Sequence, residues 1–188
     1  MLKYYSTLLL CFALTSVKAQ LEFPASFIQL LEEAQLTINQ PIENQFKEKS
    51  VRDNDLCSYQ YSMRKKKGDL EIRYNVQPSA AQDSNINAVP HITALSLVSS
   101  LATNDDDSII SYHQVSKKDL ETKYRANWGL VAFFKPKEEF SSKAHCKMLT
   151  LYAEDKAIVT IFYLFDEITE DLENQKYSIM FKPSRGGE

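Results

Sequence analysis

Glycine is the most informative scarcity in this chain. Of four glycines in 188 residues, only Gly68 and Gly129 fall between Gln20 and Pro183. Phosphate-cradling loops and dinucleotide fingerprints need several glycines close together, so that backbone can approach the ligand. A Gly-x-Ser-x-Gly nucleophile elbow is missing too. Both absences argue against nucleotide cofactors and α/β-hydrolase chemistry. Cysteine is confined to Cys11, Cys57 and Cys146, and histidine to His91, His113 and His145. Neither Cys-x-x-Cys nor His-x-x-x-His occurs, so nothing carries metal-ligand spacing. Asp105-Asp106-Asp107 lacks the alternating ligands, glycine and closing glutamate of a calcium loop. We therefore expect no metal and no cofactor, and no catalytic residue declares itself. His145-Cys146 is the one local nucleophile–base hint, but adjacent strand residues point to opposite faces.

A charge excess of one sign is also missing. The chain has 22 basic and 25 acidic residues, a net charge of −3. Such a surface gives no footprint for nucleic acid or anionic lipid. Apolar runs are too short to span a bilayer, so no stable membrane insertion is expected.

The N-terminus does carry a signal. Lys3 supplies a positive region, Leu8 to Leu14 an apolar run, and Val17-Lys18-Ala19 a cleavage site. Residues 1–19 read as a secretory signal peptide, with the mature chain starting near Gln20. A lipoprotein reading of Cys11 fails because Leu9-Leu10 stand where small residues are needed. Cleavage leaves 20 bases and 25 acids, a net charge of −5. Residues 20–183 suit one domain, and 184–188 read as a frayed tail. In an oxidising compartment Cys57 and Cys146 either form a disulfide or remain buried thiols; spacing does not decide. The absence of an Asn-x-Ser/Thr sequon agrees with a bacterial envelope protein, secreted to the periplasm.

What remains is patterned. Phe23, Phe27, Leu30, Leu31, Ala34 and Ile38 make one helical stripe after Pro24. Cys57, Tyr59, Tyr61 and Met63 alternate with polar residues, Lys65 to Asp69 turn the chain, and Leu70, Ile72, Tyr74 and Val76 alternate again. Period two on both arms predicts a hairpin with one buried and one wet face. Pro78 to Asn87 reads as a loop. Val89 to Thr103 predicts a largely buried helix, and Lys117 to Ala126 another, opened by a Ser116/Asp119 capping box. Leu130 to Phe134 is continuously apolar. Cys146–Ala153 and Ala157–Phe165 form a second hairpin, and Tyr177–Phe181 a last strand. Strands apolar on both faces need cover on both, which predicts an α+β fold. It takes the form of an α/β/α sandwich around a mostly antiparallel sheet of about six strands.

Helix, the hairpin with Glu71-Ile72-Arg73-Tyr74, helices, Trp128-Gly129 into a strand, then hairpin and final strand: this order resembles the PsbP-like fold. That α/β/α sandwich is shared by photosystem accessory proteins, a Ran-binding nuclear-import factor and several bacterial envelope proteins. The resemblance covers nearly the whole mature chain in pattern and element order. It implies binding or assembly more often than catalysis, and it transfers no functional residue to a position here.

Recognition features are few. Lys65-Lys66-Lys67 places three charges on a hairpin tip, open to an acidic partner or lipid headgroups, or simply a solvated turn. The uncharged stretch Ile92–Ala102, with Ile92 and Leu95 foremost, is a candidate partner surface or simply a buried helix. Tyr59, Tyr61 and Tyr74 lie on apolar strand faces and read as core. The leading expectation is a non-enzymatic envelope protein that binds another envelope protein or aids assembly. A carrier of a small apolar ligand, held between helix layer and sheet, is the alternative, and an enzyme without a recognisable motif the third.

Overall fold

A computed structural model describes residues 21–38, 45–52, 54–79, 89–168, 172 and 179–183. The expected signal peptide, the tail, Tyr177 and most of the 78–87 loop lie outside the described residues.

Phe23, Phe27 and Leu31 form the buried stripe of α1 (Ala25–Glu33) and its entry. The stripe continues in sequence to Ile38, but the helix stops at Glu33. Gln35 takes a left-handed conformation with φ of 51°, and Leu36–Ile38 becomes strand β1. Then come β2 (Phe46–Glu48), β3 (Tyr61–Lys65) and β4 (Glu71–Pro78). The first hairpin is present, although its first arm starts at Tyr61 rather than Cys57. Gly68 turns it with φ of 123°, a conformation that favours glycine. Helix α2 (Pro90–Leu101) has its proline in the first turn, where no N–H is needed.

β5 (Ser111–Gln114) follows, then α3 (Lys117–Asp119), which continues as a π-helical turn over Leu120–Tyr124. The Ser116 hydroxyl accepts from the Asp119 N–H at 3.1 Å, so the predicted cap is present. Arg125, left-handed with φ of 51°, ends this helix. The chain continues through β6 (Trp128–Phe134), β7 (His145–Ala153), β8 (Ala157–Phe165) and β9 (Ile179–Phe181).

These strands make a seven-stranded antiparallel sheet, β2-β3-β4-β8-β7-β6-β5, and a separate antiparallel pair, β1-β9. The expectation of about six strands in one sheet is thereby corrected. β1, β2 and β5 are too short or too polar to alternate visibly, and the last strand pairs with β1 outside the main sheet.

Period two sorts the sheet's side chains into two clusters. Ile72, Tyr74, Val159, Ile161, Leu149 and Leu151 join α1 in the larger one. Met148, Phe162, Leu164, Ala132 and Phe134 join α2 in the other. β8 is buried at every position, as its unbroken apolar run requires.

Two burial expectations need correction. α2 buries only Ala94, Val98 and Leu101 fully; Ile92 and Leu95 are 57% and 40% exposed. It packs on β6 and β7, and among the described residues its far side, with Ile92 and Leu95, is exposed. Conversely, the hairpin's wet face is not wet. Glu71, Arg73 and Asn75 point away from Ile72 and Tyr74, as predicted, yet all three are buried. Irregular segments 49–52, 54–60 and 137–143 lie over them, which the alternation of one strand cannot reveal.

Candidate functional site

At the β2–β3 edge of the sheet, pairing brings like charges together. Lys47 lies directly opposite Arg64, and Arg64 lies opposite Glu71 on β4. Opposed like charges destabilise a strand pair unless negative charge stands close by. Glu71 is the acidic residue opposite Arg64. Its carboxylate accepts from Lys49 Nζ at 2.5 Å and from Arg73 Nε at 2.7 Å. Burial pushes its pKa up, but the Lys49 hydrogen bond and the Arg73 charge outweigh that and hold it below the usual glutamate value.

Arg73 organises the floor. Its guanidinium lies between the rings of Tyr59 and Phe140, at 4.8 and 4.7 Å from their centroids. A second nitrogen donates to the Phe140 carbonyl at 2.7 Å, tying the 137–143 loop to β4. Phe140 itself packs edge-on against Phe162 of β8, 5.1 Å away. Asn54 donates to the Glu139 carbonyl, and Asn75 donates to the Ser58 carbonyl. The buried polar row is thus a clamp that fastens two irregular segments onto the sheet.

Lys143 closes the loop's far end by bonding Asp69 and, at 2.8 Å, Asp166. Partial burial pulls its pKa down, but the bonds to Asp166 and Asp69 outweigh this and raise it. The Lys143 bond and the Ala144 N–H hold Asp166 down to about 2.

Between these walls runs a groove of about 580 Å³. Its edge wall carries Lys47, Lys49 and Arg64; Arg52 and the turn residues Lys65 and Lys66 line it further along. The loop contributes Glu138, Glu139 and Lys143. Among the described residues that line it, eight are basic and four acidic. Glu71 and Asp69 are already engaged in the ion pairs described, so Lys47, Arg52 and Arg64 add positive charge where the groove meets solvent. Such a cleft attracts carboxylate, phosphate or sulfate groups.

The anticipated site residues are dispersed. Lys65 and Lys66 line the groove, while Lys67 is exposed on the same turn. Ile92 and Leu95 sit exposed on α2, outside the groove lining. Cys57 and Cys146 are buried unbridged thiols in the α2-side cluster. Burial pushes Cys57 to about 11 and Cys146 further up, so neither is an activated nucleophile. His91, His113 and His145 are exposed, and His145 rests on the ring of Phe165. Among the described residues no group of three or more His, Cys, Asp or Glu side chains comes together to hold a metal, and no helix is long and apolar enough to cross a membrane.

Sequence reasoning missed Lys47, Lys49, Arg52, Arg64 and Arg73 as one site. A local signal existed: Arg64 and Arg73 both fall on the polar phase of the hairpin, on the same side of the sheet. No family model, curated protein or solved structure matches the chain.

Proposed function

We propose that this chain is an exported, non-enzymatic binding protein of the bacterial envelope, and that its groove holds an acidic segment of another envelope protein. One observation carries this reading: Lys47 and Arg64 stand opposite each other at the mouth of a groove whose described lining holds twice as many bases as acids. A carboxylate placed between two cations that otherwise repel each other relieves that repulsion and gains charge-assisted hydrogen bonds, which offset its desolvation without any change in fold. The floor is rigid, because Arg73 is held by Glu71, Phe140 and two aromatic rings, so little ordering is required on binding.

The groove lining includes no histidine and no cysteine, which favours binding over proton-transfer or nucleophilic chemistry. Its charged walls suit an acidic partner better than the apolar ligand of the carrier reading. Two core clusters, fed by alternate residues of the same strands, are consistent with the α/β/α layering that this reading assumes.

An oligo-glutamate peptide, titrated by fluorescence anisotropy at low ionic strength, tests the reading. Binding that weakens with salt is expected. The Lys47→Glu/Arg64→Glu variant should lose about tenfold or more in affinity, equivalent to 1.4 kcal/mol. An equal charge change elsewhere, Lys118→Glu/Arg125→Glu, should cost much less. No binding, or equal losses in both variants, would refute a groove-specific site.

A further inference from the structure

The other edge of the seven-stranded sheet is formed by β5. Among the described residues nothing pairs with its outer side. The Val115 N–H donates to the Gly129 carbonyl at 2.9 Å, so Val115 turns its backbone inward to β6. By the alternation of an antiparallel ladder, Ser111 and His113 do the same, while Tyr112 and Gln114, with Ile110 beside the strand, present N–H and C=O outward.

Open edges are ordinarily blunted by charge, proline or a bulge. Here residues 108–116 hold no Asp, Glu, Lys, Arg or Pro. Instead, Ile109 is 82% exposed, Ile110 43% and Tyr112 59%. The charges begin just outside this window, acidic before it at Asp106 and Asp107, basic after it at Lys117 and Lys118. All four are exposed.

We propose that the chain forms a two-fold homodimer by antiparallel β5–β5 pairing centred on Tyr112. Only registers that match outward-facing residues with each other are allowed, because the inward groups are used by β6. Centring on Tyr112 satisfies this: Tyr112 meets its own copy, and Ile110 meets Gln114. Antiparallel pairing also brings the turn before β5 of one copy, with Asp106 and Asp107, to the end of the strand pair where α3 of the other copy begins with Lys117 and Lys118. Lys117 already pairs with Glu121 of its own helix at 3.8 Å, so Lys118 is the less engaged of the two. The pairing also brings Ile109 beside Val115 and covers the exposed apolar positions. It is isologous, so it closes at two copies rather than propagating. The β2–β3 groove stands at the opposite edge of the sheet and stays open in both copies.

Sedimentation equilibrium of the purified chain tests this, with a dimer expected. Tyr112→Pro removes an outward N–H that β6 does not use, so it should give a folded monomer by circular dichroism. Lys117→Glu/Lys118→Glu and Asp106→Lys/Asp107→Lys should each weaken the dimer about tenfold or more. Mixing those two variants should restore association as a heterodimer. A monomeric wild-type chain overturns the proposal, as does a dimer indifferent to the charge variants or a mixture that does not associate.

Discussion

A carboxylate buried between a lysine and an arginine stabilises the fold only while it is charged, and Glu71 is such a group. Its pKa is lower in the folded chain than its ordinary 4.5. The group therefore binds a proton less readily when folded, and its contribution is complete above about pH 4.5. That contribution is lost as pH falls through the lowered folded value. Glu71→Gln leaves Arg73 and Lys49 without their counter-charge. Discounted for the partial exposure of Lys49, the loss at pH 7 is about 2–3 kcal/mol in a urea unfolding curve. The gap between variant and wild type should narrow as pH falls below about 4.5. A gap that is constant down to pH 2 would mean the carboxylate's charge contributes nothing.

At the scale of elements, legibility followed periodicity. The β3–β4 and β7–β8 hairpins were readable because Ile72, Tyr74 and Val76 alternate and because Ala157 to Phe165 is apolar throughout. Strand β5 was not readable, since Ser111-Tyr112-His113-Gln114 becomes a strand only through its pairing with β6. The break between α1 and β1 was hidden for a related reason. Ala34 and Ile38 keep the helical stripe going in sequence, while the left-handed Gln35 redirects the chain. Gly129 shows how closely these elements approach. A β-carbon there would stand 2.9 Å from Leu151 Cδ2, 3.0 Å from Val115 and 3.1 Å from Leu120, so the π-helical turn and two strands converge on it. Gly129→Ala should cost about 1–3 kcal/mol by overpacking, measured as a lowered thermal midpoint. An unchanged midpoint would show that this junction has slack.

At the scale of the whole molecule, the two surfaces proposed to bind lie at the two ends of one sheet. A positively charged groove occupies the β2–β3 end, and an uncharged strand, unpaired on its outer side among the described residues, the β5 end. The sequence displayed the charged residues of the groove but not their convergence. Lys47 and Lys49 come from β2 and just after it, Arg64 from β3, Arg73 from β4, and Glu138 to Lys143 from a loop some 70 residues on. Only the sheet register and the covering loops bring them together, and those are set by long-range pairing. The hairpin-tip lysines were legible because they are consecutive. The groove they help to line was not. The central claim is that this groove receives acidic groups, and it is most directly checked by amide chemical-shift mapping during titration with oligo-glutamate. The account predicts saturable shifts concentrated at Lys47, Lys49, Arg64, Lys66 and the 138–143 loop. Shifts scattered over every exposed lysine, or confined to α2 around Ile92 and Leu95, would contradict it.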